Sequence, residues 1–548
     1  MAVKTEAAGL ARVWRRLDAF AATRSALPTL FVVALAVYAL ESVAVPLHAG
    51  RDFGGYLRNY LHFWELDPVV EIWSLTRAPV ATFASVGPLD VGGAWSAEIW
   101  MAALFAGSIV CWAAAAAAFG PRAAIFTAVA LLVYPAYGIL FHALSSDSIA
   151  AAAFALWALL LVRAAGRPSA GRFAAAGLGV ALLTLVRPGN QVLLVFALFP
   201  LIVAVPFRRR LAYAGVFFAA AAVPLLVWSA HNSLRYGDFT VVRGSNGAIF
   251  SRTWLHRMVS PDNGSASRAL AKAVEGHLLA LEPYRSYDIS SDEFFSSGSF
   301  RMLTDVFALS DRYWGWGSDY EIMREAAWEA ISAHPGEFAR QVGGAAAREL
   351  TLTLYAPAPS GDDGSGAPQR EFVTIRGRKL PKPTEGQPIP SSHYSGHVQS
   401  PDGDITEVWT SATEHRVVFS DPRDQIRHEE LNRQADDLGA MLPGRGGHAS
   451  LVGWLDRASR WYPRPIAWLV VALVAIAVRR PRRVTAPLAI AVAALLVVVT
   501  TALVVDAAAE YVVPLAPAFV LLAAVALFGP KRSNKLALSR PQRLSRGG

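Results

Sequence analysis

A chain of 548 residues that is 54% hydrophobic and only 17% charged is too apolar for a soluble globule of that length. Its formal charge of +9 does not point to nucleic acid, because the basic residues cluster between apolar runs instead of gathering on one domain. A single cysteine, Cys111, excludes an intrachain disulfide.

Runs long enough to cross a hydrocarbon layer of about 30 Å fall near 27–46, 99–119, 123–143, 148–163, 173–187, 190–207, 211–230, 464–478, 484–505 and 510–528. The first starts some 25 residues in and lacks a small-x-small cleavage site before its polar exit, so it reads as a retained span. Pro188, Gly189 and Asn190 split what would otherwise be one long run into a hairpin. The expectation is an all-α polytopic membrane protein of about ten transmembrane helices. Three parts follow: an N-terminal transmembrane module, 1–230, with a first external loop at 47–98; an external segment, 231–463; and a C-terminal transmembrane module with a basic tail, 464–548.

Charge sets the orientation. Arg163, Arg167, Arg172, the Arg208–Arg210 triplet, Arg479, Arg480, Arg482, Arg483 and the basic tail fall on one side, while the short loops opposite hold Arg51, Arg58, Arg77 and Arg187. The positive-inside rule then puts both termini in the cytoplasm of a cell inner membrane. The segment between spans seven and eight reads as mixed α/β or partly irregular. "EIMREAAWEAISAHPGEFARQVGGAAARELTLTLY" predicts two helices parted at Pro335, 357–405 predicts a Pro-, Gly- and Ser-rich loop with short strands at best, and 421–440 predicts a charged helix.

With depth fixed, the ionisable residues gather at the outer interface. Asp52 leaves span one and is followed by Gly54 and Gly55, which allow close approach of backbone or ligand. Tyr56, Tyr60 and Phe63 follow at helical spacing, suited to a helix in the interface plane. Asp52 suits a general base, or simply pairs with Arg51 or Arg58 and ends the span. Asp147, in "SSDS", suits an N-cap of span four, where an aspartate complements the helix dipole. Arg187, beside a helix N-terminus with Asn190 as a cap, suits a phosphate, or snorkels to headgroups. His231, Asn232 and Arg235 top span seven, and Glu510 lies between the last two spans. Glu41 is the exception, inside span one, where a charge must pair or face water. No His, Asp or Glu spacing suggests a metal, and no obligatory cofactor is expected.

An acid after the first span, the "SSD" turn, the "RP" turn after "LLTL", "W-x-x-x-N-x-x-R-Y-G-x-F" leaving the seventh span and a late "E-Y-x-x-P-L-x-P" together resemble the GT-C glycosyltransferases. The nearest relatives are the protein O-mannosyltransferase-like and aminoarabinose-transferase-like families, which use polyprenyl-phosphate sugars. The resemblance covers about 45–235 and 500–530. It implies inverting transfer of a sugar from a polyprenyl-phosphate donor to a hydroxyl of a protein, glycan or lipid, with Asp52 as base. It also implies Arg187, His231 and Arg235 on the donor phosphate, with Asp147, Asn232, Tyr56 and Glu510 orienting. Two positions depart from the family pattern: Phe53 stands where many relatives have a second acid, and Glu510 where an arginine is common. A different class, a transporter or flippase of lipid-linked intermediates, predicts ionisable groups at the bilayer midplane instead. A non-catalytic accessory subunit on the same scaffold is a third possibility.

Overall fold

The computed structural model describes residues 16, 18–21, 23–64, 77–280, 284–353, 403–409, 415–443, 448–505 and 507–530, with short strands between 373 and 400. It is a helical membrane protein. Helix α1, Ala26–Ala44, carries no charge until Glu41 and ends at Val45, just before Pro46. A two-residue strand β1, His48–Ala49, leads to α2, Phe53–Trp64.

The expected span 99–119 is the second half of a longer element, α3, Pro79–Ala117. At 1.5 Å per residue it would measure roughly 58 Å if straight, about twice the hydrocarbon thickness. It is not straight, because Gly92 and Gly93 leave helical geometry, Gly93 at φ 64. The run 123–143 is likewise divided: α4 spans Pro121–Leu132, and Pro135 opens the short α5, Pro135–Leu140. Strand β2, Ala143–Leu144, precedes α6, Ser146–Gly166, and α7, Ala170–Val186. The next expected span, 190–207, forms a 3-10 helix, Pro188–Ile202, and α8 covers Phe207–Tyr236, ended by Gly237 in the left-handed conformation.

Helices α9, Ser245–Leu255, α10, Ser265–Val274, α11, Phe300–Tyr313, α12, Glu321–Ala333, and α13, Pro335–Glu349, form the first half of the intervening segment. The break at Pro335 falls where the sequence puts it. Phe250, Trp254, Leu270, Phe294, Val306 and Met323 are buried together there in a core separate from that of the membrane helices. The second half holds short strands, of which β3, Ile405–Trp409, pairs antiparallel with β4, His415–Phe419, in the register Ile405 to Phe419. Much of the expected loop at 357–405, including "APAPSGDDGSGAPQ", lies outside the described residues. The charged helix is present as α14, Pro422–Ala440, followed by α15, Ala449–Trp461.

The chain returns through α16, Pro465–Arg479, α17, Thr485–Ala502, the single turn α18, Ala509–Val512, and α19, Ala516–Phe528. Helix α19 is apolar on every face and buried from Ala516 to Ala526, so it forms the centre of the bundle. Among the described residues six helical stretches are long and apolar enough to cross a membrane by length and composition: Ala26–Ala44, Pro79–Ala117, Ser146–Gly166, Phe207–Tyr236, Ser450–Arg479 and Thr485–Val504. Four shorter apolar helices, Pro121–Leu132, Ala170–Val186, Pro188–Ile202 and Ala516–Phe528, occupy the remaining expected positions.

Candidate active site

The site begins with a backbone stitch. Strands β1 and β2 pair in parallel, His48 with Ala143 and Ala49 with Leu144, and the Gly50 N–H donates to the Leu144 carbonyl at 3.1 Å. A Cβ on Gly50 would stand 2.7 Å from the Ser145 Cβ and 2.8 Å from the Leu144 oxygen, so only glycine lets the chains approach this closely. The first loop is thereby fixed against the turn that starts α6. Two residues on, Asp52 sits at φ 61, a left-handed conformation uncommon outside glycine but best tolerated by Asp and Asn. Its carbonyl accepts the Tyr56 N–H, which launches α2.

Helix α2 is held on two sides by its neighbours. It is held to the first half of α3 by Asn59 Nδ2 to Thr82 Oγ1 and by Tyr60 Oη to Asp90 Oδ2, both 2.8 Å. On its other side, Arg58 Nε donates to Asn432 Oδ1 of α14, also at 2.8 Å. The partners offered by the sequence for Asp52 are therefore engaged elsewhere: Arg58 with α14, and Arg51 with Glu510. Asp52 instead faces Arg77, whose Nη2 lies 3.6 Å from Oδ1.

Asp52, Tyr56, Arg77, Ser146, Arg187, Asn190, Thr500 and Tyr511 line one cavity of about 260 Å³. Its remaining wall is largely apolar, built by Ala150, Phe154, Leu183, Val186, Val497 and Leu515 of α6, α7, α17 and the approach to α19. Arg187 is the hub of the polar end. It forms an ion pair with the buried Asp147 and donates from Nε to Ser146 Oγ at 3.3 Å. It also reaches the Glu510 carbonyl at 3.5 Å and lies over the Tyr511 ring at 5.2 Å. Arg51 donates to Tyr511 Oη at 2.8 Å. Burial raises the pKa of the Tyr56 hydroxyl in the first loop, so it stays a neutral hydrogen-bond donor.

The N-cap of α6 is the Ser145 side chain, which accepts from the Asp147 N–H at 3.2 Å; the Asp147 carboxylate goes to Arg187. Asn190 does not cap the following helix, since its Nδ2 donates back to the Leu183 carbonyl at 3.0 Å and satisfies the end of α7.

Of the residues grouped by the sequence, Asp52, Tyr56 and Arg187 line the cavity, and Asp147 and Glu510 contact Arg187. His231, Asn232 and Arg235 stand apart from this cavity. His231 stacks on Trp228 with ring centroids 4.9 Å apart, and Arg235 reaches the His62 and Phe63 carbonyls at the end of α2. Asn232 is buried and donates to the Thr240 carbonyl at 2.8 Å, closing the turn after α8. None of the three lines the cavity. Arg77, Tyr511 and the β1–β2 stitch were missed; an arginine ahead of Pro79 carries no local sign of its partner. Glu41 is buried in α1 with its carboxylate against Gly138 and 3.9 Å from His142 Nε2. Among the described residues no group of three or more His, Cys, Asp or Glu is placed to hold a metal.

Residues 89–228, from within α3 to near the end of α8, match the family model of dolichyl-phosphate-mannose-protein mannosyltransferase. The chain resembles that family there. No curated protein matches the chain in sequence. Among solved structures it is similar to ArnT from Cupriavidus metallidurans bound to undecaprenyl phosphate, at 18% identity over 92% of this chain and 78% of that one, with a TM-score of 0.33. ArnT in the apo state gives 17% and 0.32 over the same shares. The archaeal oligosaccharyltransferase AglB from Archaeoglobus fulgidus, in complex with an inhibitory peptide and a dolichol-phosphate, gives 12% and 0.36, covering 93% of this chain and 56% of that one.

Proposed function

We propose that the chain is an inverting membrane glycosyltransferase, taking a sugar from a polyprenyl-phosphate donor to an acceptor hydroxyl at the external face of the inner membrane. The observation that carries this reading is the meeting of Asp52 and Arg187, 135 positions apart in sequence, on one cavity. Its polar end suits a phosphate, and its apolar wall of α6, α7 and α17 side chains suits a lipid chain. The match of residues 89–228 to a mannosyltransferase model points the same way.

In this reading the acceptor hydroxyl gives its proton to a carboxylate oxygen of Asp52 as its oxygen attacks the anomeric carbon. The bond from that carbon to the phosphate oxygen breaks, and the lipid phosphate leaves with the electron pair. Arg187, held by Asp147 and Ser146, faces the phosphate as its charge grows, which is where a fixed cation lowers the barrier most. Arg77 orients Asp52, Tyr56 and Tyr511 donate to donor or acceptor oxygens, and Glu510 acts through Arg51. Both termini lie in the cytoplasm, and residues 231–463 form the external segment. The 1–230 and 464–548 modules form the membrane part.

The test is to incubate the purified protein with a panel of radiolabelled polyprenyl-phosphate sugars and candidate protein, glycan and lipid acceptors. The expected result is a new glycosidic product with release of the lipid phosphate from at least one donor. Movement of lipid-linked sugar between vesicle leaflets without a new glycosidic bond would replace the enzyme with a translocator.

A further inference from the structure

Glu41 is the one carboxyl of α1, and the reaction above does not use it. Helix α1 buries Ala34, Tyr38, Glu41 and Ala44 as a single stripe at helical spacing, while Val32, Val33, Leu40 and Val43 stay exposed. An apolar side chain would complete that stripe without taking a carboxyl group out of water, so the reason for the glutamate lies in what it touches.

It touches the joint from which the first loop hangs. Gly138 of α5 has no room for a Cβ, because the Glu41 carboxyl fills that space. One carboxyl oxygen lies 3.9 Å from Nε2 of His142, whose side chain is fully buried. The His142 ring also stacks on Tyr38, with centroids 4.1 Å apart and planes 17° from parallel, and Tyr38 Oη donates to the Phe141 carbonyl at 3.5 Å. Two side chains one turn apart on α1 thus hold the turn that follows α5. The backbone of His142 carries the loop. Its N–H donates to the Ile139 carbonyl at 3.0 Å, and its carbonyl accepts the His48 N–H at 2.9 Å. That bond begins the β1–β2 pairing, the Gly50 N–H to the Leu144 carbonyl continues it at 3.1 Å, and Asp52 stands two residues on.

We infer that Glu41 is a positioning residue for Asp52, acting through His142 and the β1–β2 pairing. The first loop is attached at two places: the end of α1, which it leaves at Val45, and the strand β2, with which it pairs. The Glu41 carboxyl, seated between Gly138 and His142, fixes the depth and rotation of α1 against the turn that β2 continues, so both attachments are referred to one residue. If α1 shifts, the loop is drawn along one attachment and held at the other, and the carboxylate of Asp52 moves with it. A reacting group displaced by about 1 Å loses much of its effect, although the ligand is still bound. This inference rests on the reading of Asp52 as the base of a transferase.

The test uses the full-length protein in nanodiscs with a labelled polyprenyl-phosphate sugar. Turnover, donor Kd and amide hydrogen exchange of the segment 46–52 are measured for wild type, Glu41→Ala, Glu41→Gln, Asp52→Asn and the Glu41→Ala/Asp52→Asn double variant, with tryptophan fluorescence reporting the fold. Glu41→Ala is expected to lose on the order of 10²-fold in turnover while donor Kd stays within about twofold of wild type. Exchange at 46–52 is expected to quicken about tenfold. Glu41→Gln, which fills the same space, is expected to restore both. With Asp52 already replaced, Glu41→Ala is expected to cost no further turnover, because the two residues act as one unit. If Glu41→Ala is not recovered folded, Gly138→Ala sets a methyl group in the carboxyl's place and supplies the same displacement. Exchange that stays at the wild-type rate, or an equal loss of turnover with and without Asp52, overturns the inference. Wild type without turnover on any donor defeats the transferase reading instead, and the exchange comparison then still decides whether Glu41 holds the loop.

Discussion

Asp52 owes its place to Gly50. The left-handed backbone of Asp52 is tolerable because the preceding residues are pinned to the α6 turn, and that pinning needs a position without a Cβ. Gly50→Ala sets a methyl group against the Leu144 carbonyl and the Ser145 Cβ, neither of which is the far end of a flexible side chain. The expected cost is about 1–3 kcal/mol in thermal unfolding, as for other overpacked sites, together with a loss of turnover larger than that of donor binding. Turnover at the wild-type level would show that the loop does not depend on this contact. At this scale the sequence shows depth but not direction around the bundle. Asp52, Tyr56, Arg187 and His231 all read as belonging to one membrane side, yet His231 and Arg235 are turned toward the end of α2, because a shared level leaves the azimuth of each helix undetermined. Arg77 and Tyr511 were illegible for a related reason: the partner of a long side chain is chosen by tertiary packing.

At the scale of elements, punctuation was the legible part. Pro335 divides α12 from α13, and Pro188 opens a new helix after Arg187, because proline lacks the N–H that a continuing helix needs. The break in α3 is harder to see, since Gly92 and Gly93 sit within an otherwise helical pattern. Capping by a distant side chain is harder still. The Glu329 carboxylate of α12 accepts from the Ala266 and Ser267 N–H groups at 2.9 and 2.8 Å and so closes the start of α10, 63 positions earlier. Burial alone would raise its pKa, but the bonds from Ser267 and Ala266 outweigh burial and hold it below the ordinary value. A depressed carboxylate pKa contributes stability above its unfolded value, and that stability is lost as pH falls through the folded value. Glu329→Ala is expected to cost about 1–2 kcal/mol, as lost caps do, and to flatten the acid limb of the unfolding curve. An unchanged acid limb, read by urea titration at pH 3 to 6, would show that the cap contributes nothing.

For the molecule as a whole, the alternation of apolar runs and arginine clusters gave the helical membrane architecture, and the structure adds how its parts are joined. The segment between α8 and α16 is tied to the membrane helices by Arg58 to Asn432, Arg252 to the Val505 carbonyl and Ile466 to the Leu350 carbonyl. Those joints pair residues 374, 253 and 116 positions apart, which no local pattern encodes. The proposed orientation rests on the arginines at the start of α8 and between α16 and α17. In a Cys111→Ala background, cysteine at Lys272 is expected to react with an impermeant maleimide in intact cells. Cysteine at Arg209 is expected to react only after permeabilisation. The reverse pattern would invert the protein in the membrane and put its cavity at the cytoplasmic face.

The central claim is that one cavity joins a base and a phosphate-holding guanidinium that do separable work. The direct measurement is turnover and donor binding side by side, on a labelled polyprenyl-phosphate sugar, for wild type, Asp52→Asn and Arg187→Gln. Asp52→Asn should lose about 10²–10⁴-fold in turnover, the usual worth of a general base, while binding donor as wild type does. Arg187→Gln should lose donor binding first. Wild-type turnover in Asp52→Asn, or undiminished donor binding in Arg187→Gln, would contradict the account.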